Sequence, residues 1–342
     1  MKKSYILSLL MTLFSLSLHA QITQGRFTKG DHPQNDILEV LVNKNTRAFD
    51  FSPSVGYFLT NNVMLGGQLA VYNVNQNDVI DYSQWSLRPF ARYYLPGNFF
   101  LTTALGVGNQ RREINQQGGY QDRITFYDLS IGAGKDFFLR GDVALEGVVI
   151  YQHSNFSGES LSEDVGLNSL LVDFNLQPFV GAGLDLEVNN PLSTGSILLD
   201  VQARLLWEGQ EDRDGSFTID LSPRLGYFLT DNIVVGSKVS LTVLGIADET
   251  QLGYGLAPFA RYYLPPLTER VYVFGGFSVG FDKAPGDDDA IWNGHLGPGM
   301  DYFLSPNVAL EGLLAYSFQK TNNAPAWERA LVRVGVQVFL RR

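Results

Sequence analysis

The chain has 342 residues, a net charge of −10 and no cysteine. Carboxylates outnumber basic side chains by 35 to 25, which argues against a nucleic-acid partner, because phosphate binding needs a basic surface. Without cysteine, disulfides and thiolate metal sites are excluded. From the sequence as a whole we expect no cofactor, no metal site and no catalytic residues.

The first twenty residues have the layout of a secretory signal peptide. Lys2 and Lys3 precede an apolar run from Tyr5 to Leu18, and the segment ends in the small residue Ala20. No later stretch approaches the ~18 apolar residues that a membrane-spanning helix requires. We therefore expect an exported protein, with residues 1–20 as a cleaved signal peptide.

A repeat occupies the rest of the chain. The string PFARYYLP at 89–96 recurs unchanged at 258–265, residues 52–67 return as a close variant at 222–237, and residues 132–147 return at 297–312. Similarity at a fixed spacing indicates an architecture built from repeated units. We predict a first β-barrel repeat at 21–190 and a second at 191–342.

Within each copy the apolar residues alternate with a period of two. Residues 195–207, 217–229 and 330–340 each place apolar side chains on one face and polar side chains and glycines on the other, which predicts strands with two unlike faces. Short connections alternate with longer polar ones near 73–84, 109–123, 153–167 and 208–216. This rhythm is typical of outer-membrane barrels.

Aromatic residues are sorted by strand end. Tyrosines lie just before the short turns and tryptophans lie near the long loops, as expected for the two interfacial belts of a membrane barrel. The predicted belt residues are Tyr57, Tyr93, Tyr227, Tyr262, Tyr302, Trp85, Trp207, Trp292 and Trp327.

The polar faces of the strands carry charged residues that we predict to line the barrel lumen. We expect Arg92 and Arg261, the arginines of the repeated string, to pair there with carboxylates, and the candidates are Asp128, Glu146, Asp301 and Glu311. The full predicted lumenal network is Asp50, Arg88, Arg92, Asp128, Asp136, Glu146, Asp173, Asp185, Asp200, Arg204, Asp220, Arg224, Lys238, Arg261, Asp301, Glu311 and Arg333.

The segments 56–67, 89–94 and 137–147, with their partners in the second half, resemble outer-membrane β-barrel families of diderm bacteria, in particular small eight-stranded barrels. The resemblance implies the outer membrane of a Gram-negative cell, contact with its lipids, and assembly by the barrel-insertion machinery. It implies no single function.

Two architectures fit the repeat. One is a single all-β, transmembrane, antiparallel up-and-down barrel of about 14–16 strands, and the other is two tandem barrels of about eight strands each. The lumenal charges nearly balance in the second copy but are mostly acidic in the first, so that one shared lumen would neutralise them better. We therefore predict the single barrel.

Such a barrel is wide enough for a water channel, so we predict a porin-like passive channel for small solutes and no enzyme. The alternative is a non-conducting structural or surface-interaction barrel, for example an adhesin. A remote alternative is a lipid-modifying membrane enzyme, since His153 and Ser154 resemble a motif of lipid A deacylases. Adjacent residues of a strand point to opposite faces, however. The solute, the loop partners and the oligomeric state stay open.

Overall fold

The computed structural model describes residues 25–29, 36–42, 46–76, 80–114, 120–158, 164–180, 191–210, 215–246, 249–287, 289–321 and 327–341. The predicted signal peptide and Asp185 lie outside these ranges. Within them, no helix is long and apolar enough to cross a membrane.

Regular structure in the described ranges consists of β-strand segments. In the first half these are β1 (Gly25–Lys29), β2 (Asp36–Val42), β3 (Thr46–Phe51), β4 (Pro53–Phe58), β5 (Val63–Gln76), β6 (Ile80–Leu95), β7 (Phe99–Ile114), β8 (Tyr120–Arg140), β9 (Val143–Gly158) and β10 (Val165–Val180). In the second half they are β11 (Ile197–Asp200), β12 (Gln202–Gln210), β13 (Ser216–Leu221), β14 (Arg224–Phe228), β15 (Ile233–Ile246), β16 (Glu249–Tyr263), β17 (Val271–Lys283), β18 (Ile291–Phe303), β19 (Val308–Lys320) and β20 (Trp327–Leu340).

Several segments are two parts of one barrel strand. Ser52 separates β3 from β4, which begins at Pro53, and Ser222 with Pro223 separates β13 from β14 at the matching place of the second half. Proline interrupts the ladder because it has no N–H to donate. Pairing with the neighbouring strand continues at both breaks, since the Ser222 N–H donates to the Gln202 carbonyl at 2.8 Å and the Ser52 N–H donates to the Ile37 carbonyl at 2.9 Å.

The strands form one closed, antiparallel, up-and-down barrel of sixteen strands. Each strand pairs with the next along the chain, β10 pairs with β12 between the halves, and β2 pairs with β20 to close the ring. We call this the common ring. The predicted all-β barrel of about 14–16 strands is confirmed, and the two halves are not separate barrels.

At the short-turn end the pairing divides. β1 pairs with both β4 and β10, which closes a circuit of eight strands within the first half. β11 pairs with both β14 and β20, which closes a second circuit of eight strands within the second half. We call these the first and second circuits. The barrel is therefore one ring toward the long loops and two smaller rings toward the short turns.

The last strand shows the division most directly. Residues 330–335 of β20 pair with β2 at the start of the chain, whereas residues 338–340 pair with β11 at the start of the second half. β10 behaves in the same way, because residues 167–175 pair with β12 and residues 179–180 pair with β1. Each half thus contributes one strand that changes partner along its length.

Short turns are fixed by local chemistry. Gly97 and Asn98, between β6 and β7, both have positive φ values, of 79° and 62°, and glycine and asparagine are the residues that adopt this backbone region most readily in tight turns. At another short turn, Asn62 donates to the Tyr94 carbonyl at 2.8 Å, and Asn232 donates to the Tyr263 carbonyl at 2.9 Å. These bonds tie each turn to the neighbouring hairpin.

Candidate functional site in the barrel lumen

The two arginines of the repeated string each form an ion pair inside one circuit. Arg92 donates to Glu146 through Nη1 at 2.5 Å and through Nη2 at 3.4 Å. Arg261 donates to Glu311 through the same atoms at 2.5 Å and 3.2 Å. Two parallel bonds from one guanidinium to one carboxylate are the strong, oriented form of this interaction.

Aromatic rings enclose both ion pairs. The guanidinium of Arg92 lies 4.5 Å from the ring centre of Phe100, and that of Arg261 lies 4.6 Å from the ring centre of Phe274. Arginine stacks favourably on aromatic faces. Glu146 and Glu311 are 2% and 3% exposed, so that each pair is removed from water.

Packed side chains fill the rest of each circuit. In the second circuit the Tyr263 hydroxyl donates to Asp301 at 2.8 Å, and both residues are completely buried. In the first circuit Met64, Tyr94, Phe100 and Val148 form a buried cluster. A barrel of about eight strands has a lumen that side chains can fill. We call the Arg92–Glu146 and Arg261–Glu311 pairs, with their aromatic neighbours, the two plugs.

Ion pairs also join the two halves where the common ring is closed. Arg204 on β12 lies 3.8 Å from Asp173 on β10. Arg333 on β20 lies 3.5 Å from Glu39 on β2. In each case the two residues are directly opposed in the strand register. We call these two strand pairings, β10–β12 and β2–β20, the seams.

The seam charges are exchanged between the halves. Glu39 in the first half and Arg204 in the second occupy matching places, because they are opposite Asp50 and Asp220 respectively. Asp173 in the first half and Arg333 in the second also match, because they are opposite Val148 and Leu313 respectively. If each half closed on itself over its whole height, Glu39 would face Asp173 in the first half, and Arg204 would face Arg333 in the second. Like charges directly opposed destabilise a sheet, so the pattern favours the common ring.

The outer walls of the two circuits meet each other at the short-turn end. Val143 and Leu176 of the first half pack with Val308 and Val338 of the second. The buried carboxylate of Asp142 accepts hydrogen bonds from Ser305 Oγ at 2.5 Å and Asn307 Nδ2 at 2.8 Å. Apolar packing and a turn-to-turn hydrogen-bond network therefore hold the circuits side by side.

The remaining charges of the predicted lumenal network lie partly in the common ring and partly in the circuits, where Asp136 is opposite Glu146 and Asp200 is opposite Arg224 in the strand register. Arg88 pairs with Asp128 at 3.0 Å, and Asp220 accepts from Thr242 Oγ1 at 2.7 Å. Asp50, Asp136 and Asp200 are buried or half-buried. Asp185 lies outside the described residues, and every other member of the network has a buried or half-buried side chain.

A cavity of about 300 Å³ adjoins the Arg261 plug, between the strands of the second half and β2. Its wall is rich in charge: Arg224, Lys238, Arg261, Arg329 and Arg333 are basic, and Glu39 and Asp282 are acidic. Three of these, Glu39, Asp282 and Arg329, were not in the predicted network. Period-two spacing could have found Asp282 and Arg329. Glu39 is harder to find, because residues 36–42 match the clean strand pattern at 195–207 poorly.

Most predicted belt aromatics lie on the outer wall. The side chains of Tyr57, Tyr93, Tyr227, Tyr262, Trp85, Trp207 and Trp292 are between 39% and 54% exposed. Tyr302 is half-buried, and the side chain of Trp327 lies outside the described part of the chain.

His153 and Ser154 face opposite sides of the wall. His153 is exposed and its Nδ1 lies 2.9 Å from Asn168 Oδ1. Ser154 is buried and accepts a hydrogen bond from Gln152 Nε2 at 2.9 Å. A nucleophile and its base must be within hydrogen-bond reach, and the wall separates these two side chains.

Known proteins share the fold of this chain with little of its sequence. No protein-family model and no curated protein matches it. Among solved structures, CdiB from Acinetobacter baumannii is similar, with a TM-score of 0.52 and 9% identity over 93% of this chain and 60% of that chain. CdiB from Escherichia coli gives a TM-score of 0.49 and 11% identity over 93% of this chain and 63% of its own. A bacterial polysaccharide outer membrane secretin gives a TM-score of 0.47 and 9% identity, over 94% and 99%.

The chain spans about 60% of the length of the first of these proteins. At this identity the likeness is one of fold: a large, closed, antiparallel β-barrel.

Proposed function

We propose that this chain is a transmembrane β-barrel of the bacterial outer membrane whose lumen is open toward the long loops and closed toward the short turns. The observation that carries the proposal is the pair of plugs, in which each arginine forms two hydrogen bonds to a buried glutamate. Such a barrel acts as a non-conducting, outward-facing cup that presents its loops and lumen to the exterior.

The outer wall supports the membrane location. Large apolar side chains that are a third to two thirds exposed recur along it, among them Leu105 at 61% and Leu296 at 64%. Soluble proteins rarely expose apolar patches of this extent, and a closed barrel satisfies its backbone hydrogen bonds inside lipid. Contact with outer-membrane lipids and assembly by the barrel-insertion machinery belong to the same proposal.

A porin-like passive channel is the second candidate. The sixteen strands of the common ring favour it, because barrels of about this size leave room for an aqueous channel. The plugs argue against free passage of solutes, since a solute that crossed either circuit would have to separate a buried ion pair.

Single-channel recording in planar bilayers distinguishes the two candidates. We expect the purified full chain to give no large, stable conductance steps. Replacing both plug arginines, Arg92→Ser with Arg261→Ser, should produce steps, because it breaks the ion pairs around which the other side chains of each circuit pack. Large stable steps from the unaltered chain would instead establish the porin-like channel.

Location is tested separately by fractionation. After expression in a diderm bacterium, the chain should sediment with the outer membrane, and the unheated protein should migrate differently from the heated protein in a denaturing gel, as folded barrels do. Recovery as a soluble periplasmic protein would contradict the proposal.

A further inference from the structure

We propose that the cavity in the second half binds a small oxyanion, a phosphate or carboxylate group of a solute that enters from the long-loop side. The cavity holds about 300 Å³ and is lined by strands β14 to β20 together with β2. This inference requires an open lumen but no conductance, so that it stands or falls separately from the closure of the plugs.

The cavity wall has a surplus of positive charge. Five basic side chains line it against two carboxylates. One of the five, Arg261, is already engaged by Glu311 at 2.5 Å. Glu39 lies beside Arg333 at 3.5 Å. The other carboxylate, Asp282, accepts hydrogen bonds from Ser240 at 2.8 Å and from Asn293. When Glu311 and Asp200, which is opposite Arg224, are counted with the two lining carboxylates, the five cations face four acids, and the wall keeps a small positive surplus.

Two of these cations are placed directly against each other. Arg224 on β14 is opposite Lys238 on β15 in the strand register, and Asp200 lies opposite Arg224 on its other side. A like-charged pair in direct opposition destabilises a sheet. An anion bound between the two side chains would offset this repulsion, and its binding is therefore favoured.

The barrel wall itself does not require this cluster. At the matching place of the first half, Ser54 is opposite Gln68, and the strands pair in the same way with neutral side chains. The positive cluster is thus a property of the second half alone, where the cavity lies, and is not a necessity of the fold.

The remaining lining suits an oxyanion. Guanidinium groups match the geometry of carboxylate and phosphate oxygens, and Ser278, Ser317 and Asn293 add neutral hydrogen-bonding groups. The volume is at the lower end of the range for small-molecule sites. The site therefore fits a compact anion with few heavy atoms better than a long chain or a macromolecule.

Calorimetric titration of the full chain in detergent micelles with inorganic phosphate, at constant ionic strength set by chloride, tests the proposal. We expect saturable binding that is at least tenfold weaker in the double variant Arg224→Ser with Lys238→Gln. These replacements are the residues of the matching places in the first half. The control Arg111→Gln removes an exposed cation outside the cavity and should bind phosphate as the unaltered chain does.

Equal phosphate affinity in the three proteins, or no saturable binding to the unaltered chain, would overturn the proposal. A second measurement needs no variant: phosphate should slow the labelling of Lys238 by an amine-reactive reagent several-fold, while labelling of the exposed Lys320 stays constant. Equal labelling of Lys238 with and without phosphate would refute the site even if the double variant fails to fold.

Discussion

Glu39 and Arg333 face each other across the strands that close the ring, with Arg333 Nε 3.5 Å from Glu39 Oε2. They lie almost 300 positions apart in the chain, so that the ring is closed by charges from its two ends. With Arg204 and Asp173 at the other seam, they give the common ring the two oppositely charged contacts that self-closed halves would lack.

Charge reversal at one seam tests this relationship. Arg333→Glu should destabilise the barrel by about 2 kcal/mol, because a third acid would join Glu39 and Asp50 in one cross-strand row. Adding Glu39→Arg should recover most of the loss, since opposite charges again face each other. The measurement is the urea concentration at the midpoint of unfolding in detergent. The folded fraction is read from the gel mobility of the unheated protein.

The same exchange at the other seam serves as the control. Asp173→Arg should destabilise the barrel and Arg204→Asp should rescue it, whereas the cross-seam combination Asp173→Arg with Glu39→Arg should give no rescue. If the double exchanges are no more stable than the single variants, the seam charges do not select the common ring.

Breaking a plug should be costly. Glu311→Gln leaves the buried Arg261 without its charged partner, and we expect a loss of about 3 kcal/mol in the free energy of unfolding. Glu146→Gln should behave similarly in the first circuit. The matched control is Glu113→Gln, which removes an exposed pair with Arg111 and should change stability by less than about 0.5 kcal/mol. Equal effects at Glu311 and Glu113 would contradict the plug.

The contact between the two circuits is tested at Asp142. Asp142→Ala removes the acceptor for Ser305 and Asn307, and we expect a loss of about 2 kcal/mol because buried donors lose their partner. Hydrogen exchange should accelerate at the Asn307 and Val308 amides, while the Gly97 turn is unaffected. Uniform acceleration across all short turns would indicate global destabilisation instead of a local contact.

Acid should weaken the turn before β15. The hydroxyl of Thr194 donates to Asp231 at 2.8 Å and its backbone N–H donates at 2.7 Å, and these bonds lower the pKa of the Asp231 carboxyl below its ordinary value. A lowered pKa stabilises the folded state above the unfolded pKa of about 3.9, and this contribution is lost as the pH falls through the folded pKa.

The measurement is the thermal midpoint of unfolding between pH 6 and about pH 2. The unaltered chain should lose an increment of stability at the acid end that Asp231→Asn lacks, since an amide does not titrate there. Identical pH profiles for the two proteins would show that the Thr194 bonds do not contribute.

Much of the wall could be predicted from local sequence. Period-two alternation correctly indicated an antiparallel barrel, since a strand with one apolar face and one polar face must separate two environments wherever it lies. The repeated string predicted that Arg92 and Arg261 pair with carboxylates, but it left four candidate partners for the two arginines. Their partners, Glu146 and Glu311, became definite only when the structure showed the side-chain contacts across four strands, from β6 to β9 and from β16 to β19.

The sequence by itself determined that strands form, which residues share a face and where the turns lie, because these depend on neighbours along the chain. The tertiary structure decided that the last strand of each half divides its pairing between the two halves, because backbone ladders accept either partner equally well. Glu39 and Arg333 are plain in the sequence, but their opposition exists only after the two ends of the chain have met.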